Sequence, residues 1–221
     1  MTRVLVIGSS GGIGAALFSE ATARGGKVTG LSRSGDGLDI TDPDSVDRHL
    51  GALDTTFDRI VVATGALQSG GRAPEKALKQ IDAAYLTQQF AVNALGPALI
   101  LKHVPRLLTR DAPSAVGVLS ARVGSIGDNG LGGWYGYRAA KAAVNQIVHT
   151  AAIELARTHK KAVCVALHPG TVATPFTSDF VSPENATPPA KAAGNLLDVL
   201  DGLTPAKTGG FYDYAGKEIP W

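Results

Sequence analysis

The chain has 221 residues, of which 44% are hydrophobic and 18% are charged. A domain typically takes about 100–200 residues, so this length and composition predict one domain with its own apolar core. The net charge of +2 is too small to favour nucleic acid or an anionic membrane as a partner. The single cysteine, Cys164, excludes a disulfide framework, and the histidines show no metal-ligand spacing, so we expect no metal site.

The first residues give no sign of a targeting segment. Met1-Thr2-Arg3 is followed at once by a strand pattern, and no apolar run approaches the ~20 residues that cross a bilayer. We therefore expect a cytoplasmic enzyme.

Strands and helices alternate along the chain. Apolar and β-branched runs predict strands at 4–7, 27–31, 57–63, 115–119, 162–167 and 210–214. Helical spacing of apolar residues predicts helices at 13–24, 45–53, 138–157 and 189–200, with one or two helices within 74–108. This alternation is typical of βαβ units. We expect a single α/β domain over residues 1–221, with helices on both faces of a mostly parallel, doubly wound sheet.

The segment after the second strand breaks this pattern. A possible strand at 37–40 follows Leu31 after only five residues, whereas a crossover helix needs about a dozen or more. Either this strand is vestigial or its crossover has been trimmed.

A glycine-rich loop at residues 8–14 connects the first strand to the first helix. In dinucleotide-binding loops one glycine permits a tight turn, a second admits the pyrophosphate and a third allows close packing of helix on strand. Gly8, Gly12 and Gly14 occupy those positions, and the helix N-terminus supplies N–H groups for the anion. We therefore predict a Rossmann fold with cofactor contacts from Gly8, Ser10, Gly12, Ile13 and Gly14.

Two other interpretations of this loop stay open. Gly8-x-Ser10-x-Gly12 also matches the elbow of α/β-hydrolases, with Ser10 as nucleophile, although that elbow follows several strands rather than the first one. A turn that binds no ligand is the other interpretation, since a glycine loop alone is a weak signal in a chain with 27 glycines.

The end of the second predicted strand indicates which nicotinamide cofactor is preferred. An acidic residue there would bind the ribose 2′-hydroxyl of NAD, whereas a cation suits the 2′-phosphate of NADP. Arg33 stands between Ser32 and Ser34, and a guanidinium can pair with a phosphate through two hydrogen bonds. This favours NADP over NAD, with Asp39 on the adenine side. The alternative is that Arg33 is a solvated surface residue.

Tyr137 and Lys141 stand four residues apart in a predicted helix and so share one face. A free phenol has a pKa of ~10 and is a poor base at neutral pH. A nearby ammonium favours the phenolate. We therefore expect Lys141 to lower the pKa of Tyr137 and make it an acid/base catalyst for a hydroxyl or carbonyl oxygen.

These motifs occur in one order with further ones downstream. They are Gly8-x-x-x-Gly12-Ile13-Gly14, Asn93, Ser120, Tyr137-x-x-x-Lys141 and Pro169-Gly170-Thr171-Val172. In this order the chain resembles the short-chain dehydrogenase/reductase family over nearly its whole length. Residues 119–126 and 132–138 are most similar to the C-factor-like branch, which is related to the sniffer-type carbonyl reductases. The resemblance implies reversible hydride transfer between NADP(H) and a small carbonyl or alcohol substrate.

The resemblance also implies roles for individual residues. Tyr137 is then the general acid/base, Lys141 the partner that lowers its pKa, and Asn93 the residue that orders a water in the proton relay. Cofactor contacts are implied for Gly65, Pro169, Gly170, Thr171, Val172 and Thr174, as well as for Tyr137 and Lys141. Family members commonly assemble through the helices that carry Asn93 and Tyr137, so the resemblance implies a homodimer or homotetramer.

Three positions depart from the family pattern. The catalytic serine is usually the second of a Ser-Ser pair, and that register here holds Ser120-Ala121. Either Ser120, at the predicted strand end, or Ser125 must then bind the substrate oxygen, and we favour Ser120. The usual Asn-Asn-Ala-Gly is replaced by residues 62–65, and the trimmed crossover leaves the adenine pocket more open.

The substrate pocket has fewer predicted residues. Trp134, Phe176 and Ser125 are candidates for its walls, with plain packing as the alternative for each aromatic side chain. The Pro-rich segment 175–189 is the expected lid. For His168 a structural role is favoured over a pocket role. An NAD(P)-binding signalling or sensor protein of the C-factor type, with little turnover, is the alternative function.

Overall fold

Six strands form one parallel sheet in the part of the chain that the computed structural model describes, residues 1–68 and 70–221. In chain order they are β1 (Arg3–Ile7), β2 (Lys27–Leu31), β3 (Arg59–Val62), β4 (Ser114–Leu119), β5 (Ala162–His168) and β6 (Phe211–Asp213). The strands lie in the order β2-β1-β3-β4-β5-β6, and every neighbouring pair is parallel. The order reverses once, at β1, as expected for a doubly wound sheet.

Helices connect the strands. They are α1 (Gly12–Ala23), α2 (Arg33–Asp36), α3 (Pro43–Gly51), α4 (Ala83–Phe90), α5 (Gly96–Leu107), α6 (Tyr135–Thr158) and α7 (Pro189–Gly202). A π-helical turn at Ala91–Leu95 joins α4 directly to α5. Across the described ranges, no helix is both long and apolar enough to cross a membrane.

The sheet separates two apolar cores. On one face Val46 of α3, Val104 of α5 and Val148 of α6 pack with alternate side chains of β1, β3, β4 and β5. On the other face Leu17 of α1 and Leu196 of α7 pack with the intervening side chains of the same strands. Because both faces are covered, the central strands are apolar throughout. The predicted three-layer, doubly wound α/β fold is confirmed.

The strand predicted at 37–40 is wrong. After β2 the chain forms the short helix α2 and a left-handed turn at Gly37 (φ 78°), and β2 remains at the edge of the sheet. Five residues are too few to carry the chain over the sheet to a further parallel strand. Leu38 and Ile40 are nevertheless buried in the core beneath α3 and α5, with 2% and 9% of their surface exposed.

Gly96→Ala tests how tightly this shortened segment packs. A Cβ at Gly96 would lie 2.6 Å from Cδ1 and 2.8 Å from Cγ1 of Ile40. The variant is therefore expected to lose about 1–3 kcal/mol of unfolding free energy in urea titrations. Gly51→Ala is the matched control, since a Cβ there meets nothing within 4 Å. It should leave stability unchanged or raise it by about 0.5–1 kcal/mol, and equal losses in the two variants would contradict the packing.

Candidate active site

A cavity of about 570 Å³ opens at the carboxyl ends of the central strands. Its wall is formed by the loop after β1, the segments after β3, β4 and β5, and the first turns of α6. Ligands of doubly wound sheets bind at this edge, where the strand order reverses. The predicted site residues in the wall are Ser10, Gly12, Ile13, Gly65, Ser120, Tyr137, Lys141, Pro169, Gly170, Val172, Thr174 and Phe176.

Other predicted site residues are not part of this wall, within the portion of the chain that the structure describes. They are Gly8, Gly14, Arg33, Asp39, Asn93, Ser125, Trp134 and Thr171. Gly8 and Gly14 shape the glycine loop, and Arg33 and Asp39 follow β2. The other four adjoin the wall or anchor its segments.

The glycine loop owes its shape to two close backbone approaches. Gly8 has a φ of 87°, and a Cβ there would lie 2.9 Å from the carbonyl oxygen of Ala63. A Cβ at Gly14 would overlap the carbonyl oxygen of Gly8, so only glycine lets α1 pack this closely on β1. The N-terminus of α1 has no side-chain cap and no acidic residue in its first turn. Its unpaired N–H groups are therefore suited to an anion such as a pyrophosphate.

Two buried polar atoms in the cavity wall indicate a polar ligand. Oγ1 of Thr64 and Nδ1 of His168 are buried and have no hydrogen-bond partner among the described residues. Buried polar groups normally have a partner. The opposite walls also approach closely, since a Cβ at Gly12 would lie 2.5 Å from Cγ2 of Thr174. The glycine loop and the Thr64 hydroxyl fit the phosphates and hydroxyls of a dinucleotide.

Arg33 and Asp39 lie near the end of β2, outside the cavity wall. Arg33 is exposed at the first position of α2. Asp39 accepts hydrogen bonds from Oγ1 and N of Thr41 at 2.7 and 2.8 Å. These bonds, with a smaller contribution from the Arg33 cation, lower the pKa of Asp39. The carboxylate of Asp39 thus closes a turn, while the exposed guanidinium suits a phosphate at the end of β2.

Tyr137 and Lys141 lie in the first two turns of α6, which begins three residues before its predicted start. Their side chains are buried, and Nζ of Lys141 is 5.8 Å from the centroid of the Tyr137 ring. The ammonium donates a hydrogen bond to the carbonyl oxygen of Leu119 at 3.0 Å. Burial lowers the pKa of Lys141 to about 8 and raises that of Tyr137. The expected lowering of the Tyr137 pKa is wrong, because burial favours the neutral phenol.

Asn93 lies in the π-helical turn and fixes the segment after β3. Its Nδ2 donates to the carbonyl oxygen of Ala66 at 2.8 Å, and its Oδ1 accepts from the Ala66 N–H at 3.0 Å. Gly65 fits between this amide and the catalytic helix, since a Cβ there would lie 3.1 Å from Asn93 Oδ1 and 3.4 Å from Lys141 Nζ. Both polar atoms of Asn93 are thus bound to the backbone of Ala66, and they hold this part of the wall in place.

The two candidate serines differ in position. Ser120 is in the cavity wall, and its Oγ donates to Oδ1 of Asn145 on α6 at 2.6 Å. Ser125 donates instead to the carbonyl oxygen of Pro220 at 2.5 Å and accepts from the N–H of Asp128 at 3.1 Å. Its hydroxyl anchors the loop after β4, so the alternative substrate role of Ser125 has no support in this geometry. Ala121 lines the cavity without a hydroxyl.

Aromatic rings surround the Tyr137 phenol. The ring centroids of Phe176 and Trp134 lie 6.3 and 6.2 Å from that of Tyr137. Phe180 packs edge-on against Trp134, with the two ring centroids 5.7 Å apart. Phe176 is in the cavity wall, whereas Trp134 is outside it and packs against both Tyr137 and Phe180. Trp134 also has a φ of 54°, a left-handed conformation that is strained for a bulky side chain.

A match to a family model over most of the sequence shows the family to which the chain belongs. Residues 10–196 match the family model described as enoyl-(acyl carrier protein) reductase, a family of short-chain dehydrogenases/reductases. The chain is a short-chain dehydrogenase/reductase. The resemblance seen in its motifs is confirmed, and the chain is an oxidoreductase of the NAD(P)-dependent type.

This dehydrogenase/reductase is similar to several named proteins. A 1-hydroxy-2-glutathionyl-2-methyl-3-butene dehydrogenase of Rhodococcus sp. (strain AD45) is 32% identical over 234 residues, covering 100% of both chains. The C-signal of Myxococcus xanthus is 37% identical over 145 residues, covering 66% of this chain and 84% of the relative. A short-chain dehydrogenase/reductase of Burkholderia multivorans, solved with bound NADP, superposes with a TM-score of 0.81 at 25% identity, covering 100% of this chain and 99% of that one.

Two residues at the site are not identified by sequence reasoning. The buried carboxylate of Glu75 accepts the N–H of Gly136 at 3.2 and 3.3 Å, and so caps the N-terminus of the catalytic helix. This pair is 61 residues apart in the chain, so no local capping pattern indicates it. Asn145 is different, since it follows Tyr137 and Lys141 at the same four-residue interval and that spacing places it on their face.

Asn145→Ala tests how much this side chain contributes to the site. The substitution leaves the Ser120 hydroxyl and the Gly124 carbonyl without their partner. Each lost bond leaves a buried polar group without a partner, so the unfolding free energy should fall by about 1–3 kcal/mol. Gln146→Ala, at the exposed neighbouring position, should change it by less than about 0.5 kcal/mol. Urea unfolding of both variants measures the difference, and equal values would mean that the Ser120–Asn145 bond is not formed.

Proposed function

We propose that this oxidoreductase transfers hydride between NADP(H) and a small carbonyl or alcohol substrate. The observation that carries the proposal is the meeting of the buried Tyr137–Lys141 pair with the glycine loop in one cavity. A phenol and an ammonium at this position suit proton transfer to a carbonyl oxygen.

NADP is the proposed cofactor because three features fit its parts. The uncapped N-terminus of α1 suits the pyrophosphate, the unpartnered Thr64 hydroxyl suits a ribose or phosphate oxygen, and the exposed Arg33 suits the 2′-phosphate. Pro169, Gly170 and Thr174 would adjoin the nicotinamide from the opposite wall. When bound, the cofactor supplies the hydride acceptor or donor that the side chains of the chain lack.

Tyr137 acts as the acid in the reductive direction. Its raised pKa keeps the phenol protonated at neutral pH, so it donates a hydrogen bond and then its proton to the carbonyl oxygen. Lys141, with its pKa lowered to about 8, is poised to lose and regain a proton near neutral pH. It therefore suits the return of a proton to Tyr137, while Asn93 and Gly65 keep the surrounding wall in place.

Segment 175–189 is the proposed lid over the substrate. Pro175, Phe176 and Thr177 are in the cavity wall, and Phe176 packs against Tyr137. An apolar cover excludes water from the transferring groups and strengthens the electrostatic interactions inside. We further propose that the protein is cytoplasmic and forms a homo-oligomer. Exposed apolar side chains, such as that of Ile153 on α6, support the assembly.

A sensor with little turnover is the second candidate function. It is favoured by the relation to C-signal and by Ala121, which removes the usual serine hydroxyl. The buried Tyr137–Lys141 pair argues for catalysis, and substitution of Tyr137 separates the two.

Tyr137→Phe should lower kcat for carbonyl reduction by about 10²–10⁴, because the proton donor is lost. NADPH binding, measured by the quenching of protein fluorescence, should be retained. Tyr135→Phe, at the first residue of α6, is the matched control and should keep full activity. A panel of aldehydes, ketones and quinones with NADPH provides the assay. Tight NADPH binding without turnover, unchanged in Tyr137→Phe, would establish the sensor instead.

Arg33→Ala should weaken NADPH binding by about 10–100-fold, since a charge-assisted pair with the 2′-phosphate is worth about 1.5–3 kcal/mol. NADH lacks that phosphate, so its dissociation constant should stay within about twofold of the wild-type value. Arg157→Ala is the control. Arg157 lies in the last turn of α6, far along the helix from Tyr137, so this variant should change the dissociation constant of neither cofactor. Equal losses for both cofactors in Arg33→Ala would contradict the preference for NADP.

A further inference from the structure

His168 lies on the same face of the sheet as the catalytic helix. It ends β5, in which Cys164 and Ala166 belong to the core packed beneath α6. Side chains alternate between the two faces of a strand with a period of two residues. His168 therefore points toward the face that carries Tyr137, and it is in the cavity wall.

His168 is also the neighbour of Ser120 across the sheet. Leu119 of β4 is paired with Leu167 of β5, and the N–H of Ser120 donates to the carbonyl oxygen of Leu167 at 2.8 Å. The next position in this register pairs Ser120 with His168. Adjacent strands are about 4.8 Å apart, so the imidazole lies beside Ser120, and Ala121, where the family places its catalytic serine, is the next residue along the chain.

The serine positions supply no free proton donor for the reacting oxygen. Ala121 has no hydroxyl, and the single hydroxyl proton of Ser120 goes to Oδ1 of Asn145. The amide of Asn145 is fixed in this orientation because its Nδ2 donates to the carbonyl oxygen of Gly124 at 3.4 Å. Tyr137 is therefore one donor where negative charge develops, and a second donor has to come from another residue.

The imidazole of His168 has the properties of such a donor. Its Nδ1 is buried and has no partner in the described ranges of the chain. Burial, with the Arg122 cation adding to it and Asp213 opposing it, lowers the pKa of His168 to about 4. The ring is therefore neutral at physiological pH and carries one N–H. Asp213 is opposite His168 in the register of β5 and β6, but no hydrogen bond joins its carboxylate to the ring in the described ranges. Its Oδ1 accepts the N–H groups of Ala215 and Lys217.

We propose that His168 donates a hydrogen bond to the carbonyl oxygen of the substrate and replaces the serine hydroxyl that this chain lacks. The oxygen then lies between the phenol of Tyr137 and the imidazole of His168. This inference rests on the proposed reduction of a carbonyl compound, and it assigns His168 to the reacting oxygen rather than to the cofactor.

His168→Phe removes the donor and keeps a planar ring. Loss of one donor to a developing oxyanion lowers kcat by about 10²–10³, and the dissociation constant of NADPH, measured by fluorescence titration, should stay within about twofold. His168→Gln retains an N–H donor and should recover at least about tenfold of the lost kcat. Ala121→Ser in the His168→Phe background should recover activity similarly, because it returns a hydroxyl to the family position. His103→Gln on α5, away from the cavity, is the control and should be fully active.

The possible outcomes separate this inference from the proposed function. If wild type reduces the carbonyl panel and Tyr137→Phe does not, but His168→Phe stays within about threefold of wild type, the role of His168 is overturned alone. Weaker NADPH binding at unchanged kcat would make His168 a cofactor ligand and overturn the role as well. If His168→Phe does not fold, His168→Leu takes its place as the variant without a donor. A kcat of His168→Leu within about threefold of that of His168→Gln would then overturn the role. A wild-type chain that reduces no carbonyl compound overturns the proposed function and this inference together.

Discussion

A buried ammonium is the constraint around which the site is organised. Lys141 has 2% of its surface exposed, and an isolated charge in such surroundings is strongly disfavoured unless polar groups compensate it. The carbonyl oxygen of Leu119 and the face of the Tyr137 ring provide that compensation. Gly65 adjoins the ammonium without a side chain, and a Cβ there would lie 3.1 Å from Oδ1 of Asn93 and 3.4 Å from Nζ. The backbone after β3, the end of β4 and the start of α6 are thereby held together by one charge.

The same charge has to be reconciled with the helix that carries it. The N-terminal end of a long helix bears a positive partial charge, and Lys141 lies in its second turn. The carboxylate of Glu75 opposes this field, because it binds the N–H of Gly136 from a loop before α4. Gly136 makes room for this contact, since a Cβ there would lie 3.1 Å from Glu75 Oε1 and push the carboxylate aside by a few tenths of an ångström. The loop that follows β3 therefore contributes to the electrostatics of the catalytic helix as well as to the cavity wall.

Local sequence patterns account for most of the fold, and contacts between distant segments account for what they miss. The glycine loop and the Tyr137–Lys141 spacing depend on neighbours within a turn or two, and both lie in the cavity wall. Ser125 could not be interpreted in this way, because its hydroxyl is bonded to Pro220, 95 residues along the chain. The direction of the Tyr137 pKa shift was equally out of reach, since it depends on burial by residues from other loops. The extra strand at 37–40 was predicted from its apolar residues, which are buried without joining the sheet.

The short connection after β2 also decides how the sheet ends. Without a further strand beyond it, β2 presents one row of backbone N–H and C=O groups away from β1. Such edges are templates for pairing with other chains, and natural proteins limit them by short strands and charged residues. β2 has five residues, begins with the exposed Lys27, contains Gly30 and stops at once in α2. The short connection after β2 thus leaves an open sheet edge. The same few residues keep this edge short and place a charge on it, which disfavours pairing with a strand of another chain.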